Sequence, residues 1–247
     1  MRVVIAGEPP LAEDIMHLCA DAGHDTAFFL VETLAHSQRA LDLIDAATGA
    51  DVAIECHNES KAAKRQLVKM MEGAKTIYVS ALACSATEAA SWATRPPTVV
   101  GWGALTPLSK EGMIEIAPAL QSHPDRVEAA RTFWAGLNLK TATVSDGPGL
   151  VRARVVCALI NEAATALADG VASPGDIDTA MKLGTNYPRG PLEWGDLIGL
   201  DVVLGVMRGL QEEFGEDRYR PSPLLTRYVQ AGWLGKKAGK GFFEYSK

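Results

Sequence analysis

No two of the four cysteines form a Cys-x-x-Cys pair, because Cys19, Cys56, Cys84 and Cys157 are scattered along the chain. That spacing offers neither a zinc framework nor a disulfide lattice, so reduced and mostly buried thiols are expected. Long apolar runs are missing too. Asp, Glu or Arg interrupts every rich segment well before the about 20 residues that a bilayer span requires, and no membrane partner is expected. A basic field is also absent: the formal net charge is -6 and the Lys and Arg residues are dispersed, which argues against nucleic acid as a partner. The first residues, Met1-Arg2-Val3-Val4-Ile5-Ala6-Gly7, run directly into a strand pattern without the sections of a signal peptide, so a cytoplasmic protein is expected. Neither internal repeats nor low-complexity tracts are visible.

What is present is a chain of 247 residues, 47% of them apolar, enough to bury a large core in one big domain or two small ones. Short β-branched runs alternate with helical patterns in the first part. Strands are predicted at Arg2-Ala6, Thr26-Val31, Val52-Glu55, Thr76-Ser80, Thr98-Gly101, Ile114-Ala117 and Thr141-Val144. Between the first two, Leu11, Ile15, Leu18, Cys19 and Ala22 fall on one helical face, which makes a βαβ unit. After Asp146-Gly147-Pro148-Gly149 the strand patterns stop, and amphipathic helices are predicted at Val151-Asp169, Pro174-Leu183, Pro191-Phe214 and Pro223-Ala231. Ser173 is read as an N-cap with Pro174 at the first helical position. The last run, from Gly232 to Tyr245, reads as an irregular tail docked by its aromatic rings. The domain boundary is placed between residues 147 and 148, giving domains 1-147 and 148-247.

The second half carries recognisable blocks in order: Asn161-Glu162-Ala163, then Ser173-Pro174-Gly175-Asp176-Ile177-Asp178-Thr179-Ala180-Met181-Lys182-Leu183-Gly184, then Tyr187-Pro188-Arg189-Gly190-Pro191-Leu192-Glu193-Trp194, then Gly199-Leu200-Asp201. With the Gly- and Lys-rich tail ending in Phe242-Phe243-Glu244-Tyr245, they closely resemble the C-terminal helical domain of the 3-hydroxyacyl-CoA dehydrogenase family. The resemblance implies a Rossmann-like α/β N-terminal domain, followed by an all-α C-terminal domain of the 6-phosphogluconate dehydrogenase C-terminal-like type. It further implies NAD as cofactor, an acyl-CoA as small-molecule ligand, and a homodimer formed through the C-terminal helices. Gly and Pro in these blocks also have plain backbone roles as caps, turns and close helix contacts.

Against that family pattern the N-terminal half departs sharply. A dinucleotide loop needs Gly-x-Gly-x-x-Gly, whereas this chain has Gly7-Glu8-Pro9-Pro10-Leu11-Ala12. Only Gly7 matches, Pro9 and Pro10 lack the amide hydrogens that cradle phosphate, and Glu8, Glu13 and Asp14 add negative charge beside the expected pyrophosphate. Leu30 stands where an acid would hold the ribose, with Glu32 two positions on. Glu59 and Lys64 match the positions that the resemblance places near nicotinamide and ribose, so Gly7, Glu59 and Lys64 form the candidate cofactor set. Too few residues precede Asp51 for the family's helical hairpin and extra strand; a single helix around Ser37-Ala47 fits, with Leu41 and Ile44 read as its packing residues.

The family reaction is the NAD-dependent oxidation of a 3-hydroxyacyl-CoA to a 3-oxoacyl-CoA, with a histidine taking the hydroxyl proton. Gly101-Trp102-Gly103-Ala104-Leu105-Thr106-Pro107 lines up with the histidine-bearing block, which puts Gly103 at the histidine. Leu82 takes the place of the substrate-contacting serine and Ala153 that of the asparagine, while Glu115 retains the glutamate that orients the base. His57 follows the strand Val52-Glu55, at the sheet edge where open α/β folds bind ligands. Two readings follow: a dehydrogenase relative with lost or altered activity, or a non-catalytic dimeric ligand-binding or scaffold protein with an apolar pocket.

Overall fold

The computed structural model describes residues 1–245, which divide into two compact units that meet in sequence between Val151 and Arg152. In the first unit, β1 (Arg2–Gly7) shows how composition sets architecture. Val3 and Ile5 enter one core cluster, with Ile15, Trp102 and Trp134; Val4 and Ala6 enter the other, with Leu43, Leu67 and Val79. Alternate side chains point to opposite faces of a strand, so a strand covered on both faces has to be apolar throughout.

The chain continues through α1 (Leu11–Asp21), β2 (Asp25–Leu30), a 3-10 segment at Val31–Ala35, α2 (Ser37–Ala47), β3 (Val52–Glu55), α3 (Lys61–Met70), β4 (Ile77–Ser80) and α4 (Ala86–Ser91). Then follow β5 (Val99–Gly103), β6 (Met113–Ala117), α5 (Pro124–Gly136) and β7 (Lys140–Thr143). The seven strands order as β2-β1-β3-β4-β5-β6-β7, and the neighbours are parallel except for β5 against β6. One helix, α2, and one 3-10 segment bridge β2 to β3 where the family pattern calls for a hairpin and an extra strand. Within α2 the buried residues are Leu43 and Ala47, whereas Leu41 and Ile44 are largely exposed. Amphipathic spacing alone had pointed to the wrong stripe of this helix.

Because β3 lies on the far side of β1 from β2, the winding of the sheet reverses between β1 and β3. A crevice at the carboxyl ends of the two strands flanking such a reversal is where open α/β sheets bind ligands. Helix α4 opens on a capping box, with the Glu88 amide donating to Ser85 Oγ at 3.1 Å. The Asp146 carboxylate accepts from the Ala86 and Thr87 amides at 2.7 and 2.8 Å, fastening the 146–150 turn to the same helix start.

The second unit comprises α6 (Arg152–Ala168), α7 (Pro174–Thr185), α8 (Pro191–Ile198), α9 (Leu200–Phe214) and α10 (Pro223–Gln230). The single helix expected over Pro191-Phe214 is two helices. Gly199 at φ 103° lies outside the helical region and breaks the run between α8 and α9. Ser173 Oγ accepts from the Asp176 amide and Pro174 opens α7, as the cap pattern predicts. Buried carboxylates do much of the remaining fastening. Asp178 accepts from the Leu192 and Glu193 amides at the start of α8, both at 2.8 Å. Asp196 accepts from the amides of Phe242 and Phe243 at 2.9 and 2.8 Å and from the Tyr245 hydroxyl at 3.1 Å. The tail is therefore held by a carboxylate as well as by the buried Phe242 ring, which packs on Tyr228.

Candidate functional site

Two clusters lie toward the carboxyl ends of the strands in the first unit. The crevice cluster begins with Glu55, an acid within the otherwise apolar β3 and 0% exposed. Its Oε2 accepts from Lys64 Nζ at 2.5 Å and from the Ser80 amide at 3.2 Å, and its Oε1 accepts from the His57 amide at 2.6 Å. Lys64, 1% exposed, also donates to the Ser80 carbonyl at 2.8 Å. Burial pushes the Glu55 carboxyl up, against the pull of Lys64. Asn58 completes the set, accepting from Ser80 Oγ at 2.7 Å and donating to the Cys56 carbonyl at 3.1 Å.

Above this buried floor stands His57. Its Nδ1 meets Glu8 Oε1 at 2.6 Å and its Nε2 accepts from the Ser60 amide at 3.0 Å. An Nε2 that accepts leaves the proton on Nδ1, which therefore donates to Glu8. Burial holds the imidazole pKa down, but the Glu8 carboxylate outweighs it and raises the pKa above the ordinary value. His57 is engaged at both ring nitrogens.

The candidate cofactor residues take different places. Gly7 is required by packing: a Cβ there would lie 2.5 Å from Cys56 Cβ and 3.1 Å from Ala12 Cβ, so β1, β3 and α1 close on each other only around a glycine. Lys64 commits two of its three donors inside the protein, leaving at most one N–H for a ligand. Glu59 is exposed on the β3–α3 turn. The residues present do not fit a dinucleotide diphosphate. Pro9 and Pro10 supply no amide hydrogens and the Glu8 carboxylate reaches over the crevice, so these residues support no chemical step through NAD. Asp14 is turned away to other work, accepting from the Leu108 amide at 2.9 Å and Thr106 Oγ1 at 3.2 Å.

The reaction cluster surrounds Gly103 at the end of β5. A Cβ on Gly103 would stand 2.7 Å from Leu150 Cδ1 and 3.0 Å from Leu82 Cδ2, both side chains being buried. An imidazole in this position would have to displace two leucines. Glu115 lies directly opposite Gly103 in the antiparallel β5–β6 pair and is also buried, so the structure does bring it beside the position where the resemblance puts the base. Among Gly103, Leu82 and Leu150 no group can carry a proton. Ala153 is a buried residue in the first turns of α6.

Sequence reasoning missed the Glu55–Lys64 ion pair, the seating of Glu8 on His57, and Leu150. One signal was available. An acid inside the apolar run Val52-Ala53-Ile54-Glu55-Cys56 demands a buried partner.

Together these features define a class: a Rossmann-like α/β unit with a mostly parallel sheet, followed by a helical unit, as in two-domain dehydrogenases. The model of the 3-hydroxyacyl-CoA dehydrogenase C-terminal domain matches residues 149–245. A 3-hydroxybutyryl-CoA dehydrogenase of Clostridioides difficile is 37% identical over 201 residues, covering 80% of this chain and 72% of the relative. One from Bradyrhizobium diazoefficiens is 34% identical over 210 residues, covering 83% and 72%. The crystal structure of an (S)-3-hydroxybutyryl-CoA dehydrogenase from Ralstonia eutropha superposes with a TM-score of 0.78 at 30% identity, covering 100% of both chains. The chain belongs to the 3-hydroxyacyl-CoA dehydrogenase family. Among the described residues no helix is long and apolar enough to cross a membrane, and no cluster of three or more His, Cys, Asp or Glu side chains could hold a metal.

Proposed function

We propose that this chain has lost the NAD-dependent oxidation of 3-hydroxyacyl-CoA and serves as a non-catalytic, dimeric binding protein for a small acyl-CoA-like ligand. The observation that carries this reading is the filling of the reaction site. Leu82 and Leu150 close on Gly103, so the place of the general base, which Glu115 would orient, is apolar. Ala153 at the asparagine position removes a further polar contact to substrate oxygen. Exposed Val155, Leu183 and Phe214 on the helical unit support a homodimer formed through its helices. A cytoplasmic location goes with this reading.

A second reading, a dehydrogenase with altered substrate, is favoured by the retention of Gly7, Glu59, Lys64 and Glu115 at family positions. Acetoacetyl-CoA reduction followed with NADH separates the two. No turnover above the uncatalysed background, together with no NADH fluorescence change at millimolar concentration, is the expected result; measurable turnover would remove the non-catalytic reading.

A further inference from the structure

We infer that Glu8 and His57 form an internal latch that closes the switch-point crevice to phosphate-bearing ligands. Glu8 lies on the turn leaving β1 and His57 on the turn leaving β3, the two adjacent strands between which the winding of the sheet reverses. Their 2.6 Å contact therefore spans the crevice in which a fold of this kind receives a ligand. The histidine end of the latch is fixed. The imidazole is held by the Ser60 amide at Nε2, and its own backbone amide is held by Glu55, which Lys64 anchors from below. The histidine side chain is 6% exposed and that of Glu8 is 25% exposed, so the pair turns only the carboxylate toward solvent.

The chemistry acts twice against a phosphate. Glu8 places a negative charge in the crevice, and it consumes the Nδ1 proton, the one donor by which His57 could bind a phosphate oxygen. With Glu8 removed, the imidazole would present that donor to the crevice, and Pro9 and Pro10 would no longer be flanked by a competing anion. The ligand class gated at the β1–β3 crevice is then a nucleoside diphosphate, and the acyl-CoA-like ligand of the proposed function is assigned to the Gly103 end, which the latch does not close. This inference goes beyond the proposed loss of hydride transfer, because it concerns the β1–β3 crevice and not the Gly103 end. Turnover of acetoacetyl-CoA tests the proposed function, whereas ADP binding tests the latch.

The experiment is calorimetric titration of ADP into the full chain, the E8A variant and the E8A/H57A double variant. The latch calls for E8A to bind ADP at least about tenfold more tightly than the unaltered protein, equivalent to roughly 1.4 kcal/mol, and for the double variant to lose that gain. Equal ADP affinity in the unaltered protein and in E8A overturns the inference, as does a gain that survives in E8A/H57A. Should E8A fail to fold, E8Q keeps the size and a hydrogen bond to the imidazole without the charge. A smaller gain in E8Q upholds the latch and no gain overturns it. The ring-nitrogen resonances of His57 in the unaltered protein give an independent reading: unchanged shifts on adding ADP are expected, and a saturable shift would sink the idea.

Discussion

The crevice of the α/β unit and the tail anchor of the helical unit both bury carboxylates, but the carboxylates do different things. In the helical unit Asp178 and Asp196 each accept from successive backbone amides and so fasten segments distant in sequence. At the crevice Glu55 accepts from two backbone amides as well, but it is also paired with Lys64, and Glu8 with His57, so one ionisable group is tied to another. Backbone amides are present whatever the sequence, and a carboxylate that caps them has a purely structural duty which survives loss of chemistry. A side-chain pair lasts only as long as both partners remain.

The sharpest way to break this comparison is to remove Lys64. Lys64→Met leaves the buried Glu55 without its ion-pair partner and with only two amide donors, and a loss of about 3–5 kcal/mol of stability in the α/β unit is expected. Replacing both members, as Glu55→Gln with Lys64→Met, should cost much less than the single change, since no unpaired charge remains. Urea unfolding of these two variants and of Glu55→Gln alone checks it; a double-variant loss equal to the sum of the two single losses would show that the pair is not coupled.

Asp196→Ala comes next. The two tail amides and the Tyr245 hydroxyl lose their acceptor, and a loss of roughly 2–4 kcal/mol is expected, confined to the helical unit. Faster amide hydrogen exchange at Phe242 and Phe243, with the α/β unit unchanged, is the measurement. Exchange that rises equally in both units would contradict the division of labour.

The smallest effect compares the thiols of the two units. Burial pushes Cys19 and Cys157 up to about 12 and Cys84 up to about 11, while Cys56, equally enclosed, is raised well above its ordinary value. At pH 8 the native protein should therefore show negligible reaction with a disulfide reagent, and all four thiols should react after unfolding. A fast-reacting thiol in one unit alone would mark that unit as the one that opens first.

Much of this was legible in the sequence. The β-branched run Arg2-Ala6 followed by a helical pattern, the Ser173-Pro174 cap and the ordered blocks of the second half identified both architectures, because period, cap and turn residues act locally. The break at Gly199 was not legible, since a glycine inside a helical pattern can be tolerated or can end the helix. Nor was the buried stripe of α2, where neighbouring elements, and not spacing, select Leu43 over Leu41 and Ile44.

By itself the sequence determined the alternation of strands and helices, the helical second half and the family, since these depend on residue identity and short-range spacing. Only the tertiary structure decided which side chains meet: Leu150, far along the chain from Gly103, packs close to it, and Glu8 reaches His57 across 49 residues. Such partners are chosen by the closing of the sheet and the need of every buried charge or donor for a neighbour, and neither constraint is written at the position it governs.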